Sequence, residues 1–169
     1  MNDSKTKKIK PKSVGRVLAF QALYREELNP QESTIENWEE LYDYYSQETQ
    51  LTLSDKDRVI ALAYARCLFE GTTDRRPEID QLLNKALDKR TLKHTTIVDR
   101  NILRVAAYEM RFIKTAKAIV ISEAIELGKK FGERNSQAFL NGVLDQVDNI
   151  PLNNAATIIV ESTSSPSDK

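Results

Sequence analysis

The chain has a single cysteine, Cys67, so no internal disulfide can form and nothing points to an oxidising compartment. It has one histidine, His94, and no spacing of His, Cys, Asp and Glu that gathers metal ligands. Glycine and proline number five each, too few to punctuate the many tight turns of an all-β fold. No run of about 18 apolar residues exists, which argues against a transmembrane span. The basic N-terminus lacks the apolar segment of a secretory signal, and a cytoplasmic location is the expectation. Neither sign of charge dominates: 25 Lys and Arg offset 25 Asp and Glu.

What is present fits one helical domain. A length of 169 residues with 40% hydrophobic content suffices for a real core. The charge is unevenly placed. Within residues 1–16, Lys5, Lys7, Lys8, Lys10, Lys12 and Arg16 face the single acid Asp3, so a basic arm precedes a mildly acidic body. Such an arm suits nucleic acid, although terminal lysines also serve solubility alone. Residues 1–12, nearly free of apolar side chains, are expected to be a flexible arm.

From Ser13, a candidate N-cap, helical spacing begins. Phe20, Tyr24 and Leu28 recur every four residues, with Val17 and Leu23 beside them, until Asn29-Pro30. Ile35, Trp38, Tyr42 and Tyr45 predict a second helix. Ser54-Asp55-Lys56-Asp57 resembles a capping box opening a third, with Ile60, Ala63, Tyr64 and Cys67 as its inner face and Gly71 as its stop. Asp74 is a candidate cap for a fourth helix, with Pro77 in its first turn and Ile79, Leu82, Leu83 and Ala86 inward. A fifth follows Thr95-Thr96 with Leu103, Ala106, Ala107 and Met110. A sixth carries Ile121, Ala124, Ile125 and Gly128 and ends at Gly132. A seventh starts at Asn135 or Ser136, with Phe139, Val143, Leu144 and Val147 inward and Pro151 beyond. Asn141-Gly142 is a hairpin dipeptide, but its flanks are helical, so Gly142 is read as a close-packing position. After Asn153 a tail rich in Ser, Thr and Pro is expected to be disordered, making residues 13–150 the domain and 151–169 the tail.

Catalytic material is thin. There is no GxxxxGK[ST] and no GxGxxG. His94 falls in a junction between helices, Cys67 reads as an inert buried thiol, and Glu123 and Glu126 lie three apart with no His or Cys near in sequence. No enzyme activity, cofactor or metal is expected.

Three segments carry a family resemblance. Gly15-Arg-Val-Leu-Ala-Phe-Gln-Ala-Leu-Tyr24 resembles the opening helix of NusB proteins. Val98-Asp-Arg-Asn-Ile-Leu-Arg-Val-Ala-Ala-Tyr-Glu109 is similar to their C-terminal core. So is Val120-Ile-Ser-Glu-Ala-Ile-Glu-Leu-Gly-Lys-Lys-Phe-Gly132 with Phe139-Leu-Asn-Gly-Val-Leu-Asp145. The resemblance runs from about Ser13 to Val147. It implies an all-α fold of seven helices, two three-helix bundles bridged by the first helix. It also implies a transcription antitermination factor that binds boxA-type single-stranded RNA with NusE, a ribosomal protein, within the RNA polymerase antitermination complex. Family members include monomers and homodimers. Lys12 and Arg16 match basic positions of the family's arginine-rich RNA motif, while Ser13 and Val14 replace basic residues; Lys8 and Lys10 extend the charge upstream. Asn135 and Phe139 match positions near RNA, and unpaired bases do stack on aromatic faces. Tyr24 and Asp99 match positions of assembly with RNA and NusE. Each has a structural alternative: Tyr24 and Phe139 are spaced as core, Asp99 as a helix-start acid, Asn135 as an N-cap. The alternative function is a helical protein scaffold without RNA specificity.

Overall fold

A computed structural model describes residues 10–31, 37–88 and 90–151, and these form seven α-helices with no strand among them. The helices are α1 (Pro11–Leu28), α2 (Trp38–Thr49), α3 (Asp55–Asp74), α4 (Arg76–Ala86), α5 (Ile97–Tyr108), α6 (Lys117–Phe131) and α7 (Ser136–Val147). A 3-10 turn, Leu92–His94, precedes α5, and a π-helical turn, Glu109–Ile113, continues it. The expected all-α, seven-helix fold is therefore the observed one. Lys5, Lys7, Lys8, Ile35 and the chain from residue 152 lie outside the described residues.

Helix α1 packs along α3 and touches α2 and α5; α5 in turn meets α1, α3, α4, α6 and α7. Bridging is thus shared between α1 and α5. One apolar cluster runs from Val14 and Leu18 through Ile79, Leu83, Ile102 and Leu103 to Leu140 and Leu144. A smaller one joins Ala19, Leu23, Tyr64, Leu68 and Val105. Each fully buried leucine contributes ~1.5–3 kcal/mol by leaving water, against the conformational entropy lost on folding.

Several local expectations are corrected. Helix α1 begins at Pro11, not Ser13, because proline's fixed φ suits the first turn and its missing N–H is not needed there; Lys12 is therefore helical. Leu28, placed on the inner face by its spacing, is 58% exposed at the last residue of α1. Ser54 does cap α3, accepting from Asp57 N–H at 3.2 Å. Yet α3 runs past Gly71 to Asp74, and α4 is capped at Arg75 instead of Asp74. Gly71 serves packing: a Cβ there would lie 2.0 Å from Tyr108 Cζ. The buried face of α3 is Ala61, Tyr64, Ala65, Leu68 and Thr72; Ile60, Ala63 and Cys67 face outward. On α6 the deepest residues are Val120, Ala124, Leu127 and Gly128, with Ile121 and Ile125 half-buried.

Close packing falls on a glycine other than the expected Gly142. A Cβ on Gly15 would meet the Ala61 carbonyl oxygen at 2.8 Å, so this glycine sets how closely α1 approaches α3. Gly142 has nothing within 4 Å of a built Cβ and is not a packing position. Gly15→Ala is expected to destabilise by ~1–3 kcal/mol through overpacking, and Gly142→Ala to stabilise by up to ~1 kcal/mol through helix propensity. Urea melts of the two variants check both signs.

Candidate nucleic-acid interface

The start of α1 sorts its polar residues by depth. Arg16 is 5% exposed, and its guanidinium makes a two-pronged contact with Glu109. Nε donates to Oε2 at 2.8 Å and Nη2 to Oε1 at 2.6 Å. Tyr64 OH donates to the same carboxylate at 2.6 Å, and Glu123 lies 3.4 Å from Arg16 Nη1. Ser13 Oγ donates to Glu123 at 2.9 Å. Four elements, α1, α3, the π turn and α6, thus meet on one charged cluster.

Burial alone would lower the Arg16 pKa, but the hydrogen bond and charge of Glu109, with the charge of Glu123, raise it. Burial pushes the Glu109 carboxyl up, and the bonds from Arg16 and Tyr64 outweigh that, holding it below the usual carboxylate range. Burial and the bond to Glu109 push Tyr64 up to about 12. So enclosed, the Arg16 guanidinium fastens α1 to the π turn and to α6.

Exposed cations stand around this cluster. Lys10 and Lys12 are exposed at the helix start, with Lys12 Nζ 4.9 Å from the centre of the Tyr64 ring. On the other side of α1 a groove of about 400 Å³ is lined by Ser13, Val17, Leu127, Lys129 and Lys130, with Glu123 and Glu126 along it. Lys130 Nζ lies 4.6 Å from the Tyr45 ring and 5.1 Å from the Phe131 ring. Phe131 packs on Phe20 at 5.1 Å, and Phe20 on Tyr24 at 6.1 Å. Tyr24 is therefore half-buried in an aromatic row. Sequence reasoning missed Lys129, Lys130 and Phe131; the signal was the Lys-Lys-Phe ending of α6, which falls where α6 meets α1.

The start of α7 offers a different surface. Asn135 is exposed, and its side chain makes no capping bond; Ser136 Oγ accepts from Glu133 N–H at 2.8 Å instead. Phe139 is half-buried and walls a shallow cleft of about 330 Å³ with Ala86, Leu87, Arg90 and Gly142. The bare Gly142 opens one side of it. Arg90 and Gly142 were not singled out as site residues from sequence, because their helix and loop come together only in the fold.

Asp99 is 6% exposed in the first turn of α5. Thr96 Oγ1 accepts from its N–H at 3.1 Å, and its Oδ1 has no hydrogen-bond partner among the described residues. Nearby, Glu27 accepts from Arg100, Asn101 and Arg104, and Asp80 accepts from Arg104. His94 pairs through Nδ1 with Thr91 Oγ1 at 2.9 Å. The free Cys67 is exposed, correcting its reading as a buried thiol. No cluster of three or more candidate metal ligands occurs among the described residues, and no helix there is long and apolar enough to cross a membrane.

The geometry defines an all-helical protein whose basic and aromatic groups frame grooves around an internally paired scaffold. Residues 13–149 match the NusB family, and the chain belongs to it. It is 37% identical over 134 residues to the transcription antitermination protein NusB of Myxococcus xanthus, covering 79% of this chain and 91% of that protein. Among solved structures, Thermotoga maritima NusB is 32% identical with a TM-score of 0.66, covering 85% of this chain and 95% of that one. NusB in a crystal structure of the antitermination factors NusB and NusE with double-stranded RNA is 26% identical, with a TM-score of 0.64. That alignment covers 82% and 96% of the two chains.

Glu109→Gln leaves Arg16 buried beside a neutral partner and is expected to destabilise by ~3–5 kcal/mol, read as a fall in melting temperature on the order of 10 °C. The pH dependence has two signs. Glu109 and Glu27 are depressed, so their contribution is complete above the unfolded value of ~4.3 and lost as pH falls through the folded ones. Tyr64 is raised, so its contribution is complete below ~10 and lost as pH climbs towards 12. Melts from pH 2 to 12 should therefore show a plateau falling at both ends.

Proposed function

We propose that this chain is a transcription antitermination factor of the cytoplasm. It binds boxA-type single-stranded RNA together with the ribosomal protein NusE and helps RNA polymerase read through terminators, notably in ribosomal RNA operons. The observation that carries this reading is the family match over residues 13–149. The likeness to NusB solved with NusE and double-stranded RNA supports it. The role requires binding and no chemistry of its own.

Lys8, Lys10 and Lys12, with Lys129 and Lys130 across α1, neutralise phosphates, while Arg16 holds the helix that presents them. A splayed base stacks on Phe139, with Asn135 at the rim and Gly142 permitting close approach. Tyr24, half-buried in the aromatic row, and Asp99, in the first turn of α5, serve assembly with the partner.

Anisotropy titrations against boxA-like and scrambled RNA, with and without NusE, test the reading. The expected result is tighter binding to the boxA-like strand, most clearly with NusE, and a slope of log K against log salt of roughly −3 to −4 for four to six phosphates. Replacing Lys129 and Lys130 by Gln should flatten that slope by about 1.4. Phe139→Ala should weaken binding by ~1–3 kcal/mol at unchanged slope. Equal, negligible binding to both strands even with NusE present would leave a protein scaffold as the function.

A further inference from the structure

Helix α4 ends on a residue that works against it. Its C-cap is Leu87, and Asp88 follows with φ 53°, the left-handed conformation that closes many helices. Glycine or asparagine ordinarily fills that position, and the negative end of the helix dipole favours a cation beside it. Asp88 puts an exposed carboxylate there instead. Among the described residues no salt bridge engages Asp88, nor the exposed Arg90 two positions on. A local rule broken without a compensating contact marks a position kept for something other than stability. Both side chains line the cleft that Phe139 walls and the bare Gly142 opens. At about 330 Å³ the cleft falls at the lower end of small-ligand sites, which run from ~300 to ~1,000 Å³.

From this juxtaposition we infer that the cleft is a guanine-selective subsite for one base of the RNA strand, read by Asp88 and Arg90 while the base lies on Phe139. It sharpens the RNA reading given above and rests on it. The chemistry selects the base. An ionised carboxylate accepts hydrogen bonds and donates none. Guanine sets two donors side by side on its Watson–Crick edge, N1–H and the N2 amine, and so satisfies both oxygens of Asp88. Adenine and cytosine offer one amine beside a bare ring nitrogen, whose lone pair would face the carboxylate. Uracil offers one N–H between two carbonyls. On its other edge guanine presents O6 and N7, two acceptors that match the fork of a guanidinium, and Arg90 supplies it. Adenine sets an amine there, against the donors of Arg90. Stacking on Phe139 serves any base, so the ring gives affinity and the two charged residues give preference.

A base scan tests this by anisotropy with NusE present. Each position of a boxA-like strand is made guanine, inosine or adenine in turn; inosine lacks only the N2 amine of guanine. At one position guanine should bind about fivefold tighter than inosine and at least about tenfold tighter than adenine. Asp88→Asn keeps the left-handed turn and drops the charge. Its melting temperature should hold or rise, while the advantage of guanine over inosine disappears. Arg90→Gln should keep the advantage over inosine and narrow that over adenine. Phe139→Ala should weaken all three strands alike. RNA bound with no position that prefers guanine, or a preference that survives Asp88→Asn, would overturn the inference and leave the proposed function standing. A fall in melting temperature alongside the lost preference would make the carboxylate a structural group and overturn it too. Free GMP bound as tightly as the strand would assign the cleft to a nucleotide, against the inference. Failure to bind any strand, even with NusE, would sink the subsite and the proposed function together.

Discussion

The buried pair between Arg16 and Glu109 is the constraint on which the rest of the architecture depends. It ties the first helix, where exposed lysines stand, to the π turn that continues α5, the helix that meets α1, α3, α4, α6 and α7. Two ions removed from water repay their desolvation only when geometry is good and the remaining lone pairs are satisfied. Here the guanidinium binds both carboxylate oxygens, and the Tyr64 hydroxyl takes up further acceptor capacity. The pair fixes orientation as much as stability. With Arg16 held, Lys10 and Lys12 project from a defined helix start and Ser13 points to Glu123.

The fold was legible where periodicity and capping agree. Ile79, Leu82, Leu83 and Ala86 all lie inward on α4, and Thr96 and Ser54 cap the helices they precede. It was illegible where a helix carries more apolar residues than one face holds. On α3 the sequence pattern fits both Ile60-Ala63-Cys67 and Ala61-Ala65-Leu68; which set turns inward is decided by Gly15, whose missing side chain admits the backbone of Ala61. Arg16 illustrates a second limit. An arginine near a basic arm reads as an RNA contact, and nothing local reveals that Glu109, 93 residues away in sequence, will enclose it. The grooves were hidden for the same reason, since Lys130 beside Ser13 and Arg90 beside Gly142 are neighbours only through tertiary packing.

A division of labour follows from these placements. Internally paired charges, among them Arg16 with Glu109 and Arg104 with Asp80 and Glu27, hold helices in place and are withdrawn from ligands. Exposed lysines and half-buried rings are left over by this pairing, and they are the groups on which the proposed RNA reading draws: cations for phosphates and flat faces for bases. The chain shares the helical scaffold of its family, and the rigidity of that scaffold comes from these internal pairs.

The most direct measurement of this account is the salt dependence of RNA binding in the double variant Arg16→Met, Glu109→Met. Removing both members of a buried ion pair commonly leaves a fold intact. If Arg16 is an internal strut, the slope of log K against log salt equals that of the wild type. A slope flatter by about 0.7, one phosphate's worth on a single strand, would show that Arg16 meets RNA after all and would contradict it.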